Sequence, residues 1–245
     1  MAGDLKDGET LVLKVNDREL SVRLSEHARA RRVSLRVDPI KGCVVLVKPR
    51  RTSKRAAIAF AIDKADWIAA RIAELVPPIP FSHGVEVPIL GDPHIIHHHP
   101  DARRGVWREA GALNVSGTGD HLSRRVHDWF KGEARKVISP IAHNYADTLG
   151  KTIAAISLRD TRSRWGSCTS DGRLSFSWRL MMTPINVVHY VVAHEVSHLC
   201  ELNHSARFWK TVDQLIEDRR PPTAWLKEHG GDLHRYGLDD WKSEP

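Results

Sequence analysis

A chain of 245 residues with 41% hydrophobic content has room for one large or two small domains and enough apolar side chains to bury a real core. No run approaches a membrane span, and the polar, acidic start from Met1 to Thr10 lacks an apolar signal region, so residence in the cytoplasm is expected. The formal charge of +7 is concentrated at one end: residues 1–60 carry 14 Lys and Arg against 7 Asp and Glu, and the rest balance at 23 each.

The first quarter alternates like a sheet, with Leu11, Leu13, Val15, then Leu20, Val22, Leu24, then Val33, Leu35, Val37, then Val44 and Leu46. Asn16-Asp17 and Pro39 to Gly42 supply turns. Arg29, Arg31, Arg32, Arg36, Lys48, Arg50, Arg51, Lys54 and Arg55 give residues 29–55 a basic surface that could meet phosphate, nucleic acid or an acidic partner. Solvated strand faces would look the same. From Thr52 or Ser53 the period turns helical, with Ile58, Ile62, Ala65, Ile68, Ile72 and Leu75 on one side and a stop at Pro77, Pro78 and Pro80.

Residues 81–118 return to short alternating runs broken by Gly84, Gly91, Pro93, Gly105 and Gly111, as a meander would be. Within them, His94-Ile95-Ile96-His97-His98-His99 reads as polar strand residues, because a strand splays neighbouring histidines onto opposite faces. Val126, Phe130, Ala134, Val137, Ile141 and Tyr145 predict a long helix from Ser123 to Leu149, kinked at Pro140. A strand over Lys151 to Leu158 precedes a hairpin from Arg162 to Leu180, turning at 169–172. Its free edge could take an extended peptide as an added strand.

The chemistry sits in His194-Glu195-Val196-Ser197-His198, within an apolar helical stretch from Ile185 to Leu202 that Thr183 would cap, with Pro184 at the first helical position. At i and i+4 the two imidazoles share a face about 6 Å apart along the axis, close enough for one zinc. Glu195 lies about 100° round from His194, placed to hold a water and act as general base. Burying two histidines and a glutamate needs a reason, and a metal supplies one. The third ligand needs a turn: Asn203 tolerates the left-handed conformation that could bring His204 back, and Ser205 can cap a helix carrying Phe208, Val212, Leu215 and Ile216. Glu201, Asp213 and Glu217 are rival ligands. The spacing equals that of metzincins, but their glycine is replaced by Glu201, and Met1, Met181 and Met182 leave no later Met-turn.

Cys43, Cys168 and Cys200 are odd in number and lack a paired metal spacing, so they read as reduced thiols. Cys168 has no C-x-x-C or protease signature around it, which leaves an activated water as the nucleophile. Arg164, Trp165 and Tyr190 are candidate substrate-binding residues; Arg162 and Arg164 could bind a carboxylate or brace the hairpin, and Tyr190 could donate to an oxyanion or pack in the core. Pro221-Pro222-Thr223 opens a last short helix that Gly230-Gly231 closes, and residues 232–245 receive no function.

Arg164-Trp165-Gly166-Ser167-Cys168, Tyr190 to Leu199 around the histidine motif, and Asn203-His204-Ser205 with Phe208-Trp209 together resemble the YgjP-like metallopeptidase family over roughly residues 20–230. The resemblance implies a zincin-type domain with His194, His198 and His204 on zinc and Glu195 as catalytic base, and kinship with SprT-like and WLM proteases, some of which act on proteins bound to DNA. Val196-Ser197 replaces a more usual Leu-Ala or Leu-Cys. The fold expected is α+β: an N-terminal β-rich layer with one helix over 1–120, then a minimal zincin-like domain over 121–245 made of a long helix, a hairpin, the H-E-x-x-H helix and a further helix. The function expected is zinc-dependent hydrolysis of peptide or protein substrates, without membrane association. A nucleic-acid-associated adaptor or protease recruited through residues 29–55, and a zinc hydrolase of non-peptide amides, are the alternatives.

Overall fold

The computed structural model describes residues 10–15, 18–38, 43–73, 78–161 and 163–237. The expected turns at Asn16-Asp17 and Pro39 to Gly42, the helix end at Leu75 and Pro77, Arg162, and the tail from residue 238 lie outside the described residues. The chain is mixed α+β and divides into two compact units, Met1–Pro78 and Ile79–Pro245.

In the first unit β1 (Thr10–Val15), β2 (Arg18–Glu26), β3 (Ser34–Asp38) and β4 (Cys43–Lys48) form a sheet in the order β1-β2-β4-β3. The central pair β2–β4 is parallel and the outer pairs antiparallel. Leu13, Leu20, Val22, Leu24, Val44 and Leu46 point from one face onto Ala57, Ala61, Ala65 and Ile68. Each large aliphatic chain buried there contributes about 1.5–3 kcal/mol. The expected single helix is two, α1 (Lys54–Asp63) and α2 (Ala65–Ala73), broken at Lys64. Ser53 caps the first, its Oγ accepting from Ala56 N at 3.2 Å. The buried face also differs from the expected stripe: small alanines approach the sheet, and Ile62 is 46% exposed.

The second unit begins with the same topology. The strands β5 (Glu86–Ile89), β6 (Asp92–His99), β7 (Val106–Glu109) and β8 (Ala112–Ser116) run in the order β5-β6-β8-β7, again with the central pair parallel. A meander would have kept chain order; instead the β7–β8 hairpin folds back so that β8 pairs with β6. Leu90-Gly91 and Ala110-Gly111 close the two hairpins, all four residues at positive φ, as two-residue turns of type I′ require. Within β6, His94 Nδ1 bonds Asp92 O, His98 Nε2 bonds Gly117 O and His99 Nε2 bonds Asn114 Oδ1, so these rings serve the sheet as expected.

Val87, Ile89, Ile96, Leu113 and Val115 share a core with α3 (Leu122–Thr148), which buries Val126, Phe130, Ala134, Ile138 and Ala142. This shared core puts residues 81–118 in the same compact unit as the histidine motif. The helix is continuous through Pro140. A third sheet has the order β10-β11-β9, from β9 (Ala155–Arg159), β10 (Gly166–Cys168) and β11 (Arg173–Ser177); the expected hairpin is β10–β11, with β10 outermost. The remaining helices are α4 (Ile185–Ser197), α5 (Ala206–Leu215) and α6 (Arg220–His229). Thr183 does not cap α4: its hydroxyl donates to Leu180 O at 2.8 Å, and Pro184 stands at the N-cap position. No described helix is long and apolar enough to cross a membrane.

Candidate metal centre

Three contacts aim α4. Val188, Val192 and Val196 are fully buried against the core that α3 also lines. Tyr145 on α3 shares a 2.7 Å hydrogen bond with His189. At its start the Leu90-Gly91 turn docks, Leu90 N donating to Met181 O at 2.7 Å, while a Cβ on Gly91 would come within 3.2 Å of Pro184 Cα. The rigid helix then presents His194 and Glu195 on its last turn.

Helix α4 ends at Ser197, earlier than expected, where the buried Ser197 hydroxyl donates to Ala193 O at 2.7 Å. His198 keeps right-handed geometry as the C-cap, so the i, i+4 relation survives the helix end. The chain comes round to His204 without a left-handed residue: Asn203 acts through its side chain, Oδ1 accepting from Ser205 N at 3.1 Å. Ser205 caps α5 as expected, accepting from Phe208 N at 3.3 Å.

One ligand atom from each of His194, His198 and His204 lies within 4.8 Å of the others, and the Nε2 atoms of His194 and His204 are 2.9 Å apart. Glu201, Asp213 and Glu217 are not among the converging atoms; Glu201 contributes its carbonyl, and Asp213 pairs with Arg219 at 3.4 Å. Burial, with His198 and His204 beside it, holds the His194 imidazolium down to about 4, so this ring is neutral at neutral pH. His198 Nδ1 donates to Glu201 O at 3.0 Å, which leaves its Nε2 as a lone pair. The 2.9 Å approach of His194 Nε2 to His204 Nε2 needs a proton or a cation between them. Three imidazoles converging in this way, one oriented by a backbone carbonyl, suit a divalent metal with a further position open.

Phe208, fully buried, touches all three rings, with centroids 4.9 Å from His194, 4.5 Å from His198 and 4.7 Å from His204. Sequence reading treated it as part of an apolar stripe. Its place four residues after His204, behind the Ser205 cap, was the available signal.

Glu195 is 7% exposed and faces β10. Burial pushes its carboxyl up to about 7, while Arg164 nearby acts to lower it. A cleft of about 430 Å³ opens over this group. Arg164, Trp165 and Tyr190 all line it, as do Leu202 and Leu226, which sequence reading did not single out. Trp165 is held by stacking on His234, with centroids 5.4 Å apart. Cys168 also lines the cleft, but burial, Glu195 and Asp171 push its thiol up to about 11, so it stays protonated and a poor nucleophile.

The chain matches the YgjP-like metallopeptidase domain over residues 31–229. It belongs to the YgjP-like metallopeptidase family. Membership implies a metal ion and peptide or protein substrates, and the YgjP-like match spans both compact units. Comparison with curated proteins returns no match. Among solved structures, the metallopeptidase zymogen of Pyrococcus abyssi abylysin is similar over 38% of this chain and 92% of that one, at 16% identity and a TM-score of 0.34.

Proposed function

We propose that this protein hydrolyses peptide bonds with zinc held by His194, His198 and His204, and with Glu195 as general base. The observation that carries the reading is the convergence of three imidazole nitrogens within 4.8 Å, in the cleft that also holds a buried carboxylate. When bound, zinc supplies Lewis acidity that brings the pKa of a water toward about 7 and polarises the scissile carbonyl. Glu195 takes the proton from that attacking water and delivers it to the leaving amine. Its burial against β10 keeps the carboxylate from pairing with bulk water, and Arg164 favours its charged, basic form. Trp165, Tyr190 and Leu226 form apolar walls for a substrate side chain, and β10, as the outermost strand, can align an extended peptide across the cleft.

The test is cleavage of an unfolded protein substrate by zinc-loaded wild type and Glu195→Gln. The wild type cleaves, and the variant loses roughly 10²–10⁴-fold while keeping its metal. Equal cleavage by both would remove Glu195 from the reaction.

A further inference from the structure

Away from the histidine cleft, the first unit carries a groove of about 470 Å³. One wall is a stripe along the broken helix. Phe60, Lys64 and Trp67 stand at i, i+4 and i+7, so they share one face, and Arg71 follows one turn later with its guanidinium 5.7 Å from the Trp67 ring centroid. Within the groove the Lys64 ammonium therefore stands between two aromatic side chains, Phe60 and Trp67. The facing wall is the approach to the outermost strand β3 and its first residues, which bring Arg32, Val33, Ser34 and Leu35 to the groove.

Two features set this groove apart from an ordinary helix–sheet seam. Trp67 stays 38% exposed although its neighbour Ile68 is fully buried, so a large ring is held at the surface. Among the described residues Lys64 pairs with Asp63 at 2.9 Å with both side chains at least half exposed, a screened pair that an incoming anion displaces at little cost. Arg32 to Leu35 and Phe60 of the groove also lie in the stretch that holds the whole excess of positive charge, 14 basic against 7 acidic residues among the first 60.

We propose that this groove binds single-stranded nucleic acid, with bases on Phe60 and Trp67 and phosphates on Arg32 and Lys64. Flat rings interleaved with cations match a strand in which each nucleotide offers a π-face and a negative charge. An acidic peptide answers the cations but leaves the rings without stacking partners. A duplex presents its bases edge-on inside the helix and cannot enter a groove of this size. Binding of this kind is tolerant of sequence, because stacking and phosphate contacts do not read base edges. The inference does not depend on the peptidase reading, since none of these residues lines the histidine cleft.

The experiment is fluorescence anisotropy of the full chain with a labelled oligothymidylate of about twelve nucleotides across a salt series, with tryptophan emission followed in parallel. The wild type binds with salt-dependent affinity and its emission is quenched. Trp67→Ala weakens binding roughly tenfold, and Trp67→Phe keeps most of the affinity but loses the quench. Arg32→Ala with Lys64→Ala flattens the log–log salt slope by roughly 1.4, as loss of two phosphate contacts to a single strand requires. Absence of binding at low salt would overturn the proposal. So would unchanged affinity in Trp67→Ala with wild-type melting temperature, or equal competition by duplex DNA or polyglutamate.

Discussion

Gly166 of β10 lies directly against Glu195 of α4: a Cβ at position 166 would land on Glu195 Cγ and sit 2.7 Å from Oε1. The glycine is needed for space, since its φ is not in the left-handed region. Gly166→Ala is therefore expected to turn the Glu195 carboxylate away while leaving the three imidazoles in place. Turnover should fall by about 10²-fold, the cost of displacing a reacting group by about 1 Å, with metal content unchanged. Parallel assays of kcat and bound metal check this, and full turnover in the variant would show that the carboxylate tolerates the move.

Phe208 supports three imidazoles at once, so its removal should be felt at the metal before it is felt in the fold. Phe208→Leu keeps much of the buried volume but opens the ring contacts, and metal affinity should weaken on the order of tenfold by competition with a chromophoric chelator. Phe208→Ala should also destabilise the protein by about 3–5 kcal/mol in urea unfolding.

Arg179 is 2% exposed and clasps the C-terminal segment: Nε donates to Asp160 at 2.8 Å, and Nη1 donates to the carbonyls of Leu233 and Tyr236, each at 2.8 Å. Replacing it by Met leaves Asp160 and two carbonyls without these donors, and a loss of about 3 kcal/mol is expected in chemical denaturation. Because Trp165 stacks on His234 in the same segment, substrate KM should rise as well.

The bond between Tyr145 and His189 predicts a pH effect. Burial lowers the His189 pKa below its ordinary value of 6.5, so the unfolded chain binds the proton more readily. Stability associated with His189 is therefore present above pH 6.5 and is lost as pH falls toward the depressed folded value. Melting temperature followed from pH 7.5 to 5.5 should drop less in His189→Gln than in wild type, and equal slopes would exclude His189 as a source.

What could be read from sequence was whatever local spacing fixes. The i, i+4 histidines, the Ser205 cap, the long helix and the β10–β11 hairpin rest on short-range rules, and these elements lie where the spacing placed them. The parallel β6–β8 pairing is a long-range choice that alternation alone does not encode, which is why a meander was expected. At Asn203 the residue type correctly indicated a turn, but two mechanisms share that residue and the side-chain bond, not the left-handed backbone, is the one used. Gly166 and Phe208 act across chain separations of 29 and four residues on groups whose importance only the assembled cleft reveals.

The central claim is that three imidazoles hold one metal beside a carboxylate that does not ligate it. Metal content of untagged protein by plasma mass spectrometry tests it most directly, with wild type measured beside His204→Ala and Glu195→Gln. One tightly held zinc per chain, kept in Glu195→Gln and weakened in His204→Ala, is the predicted result. No stoichiometric metal in the wild type after zinc reconstitution, or equal retention in His204→Ala, would contradict it.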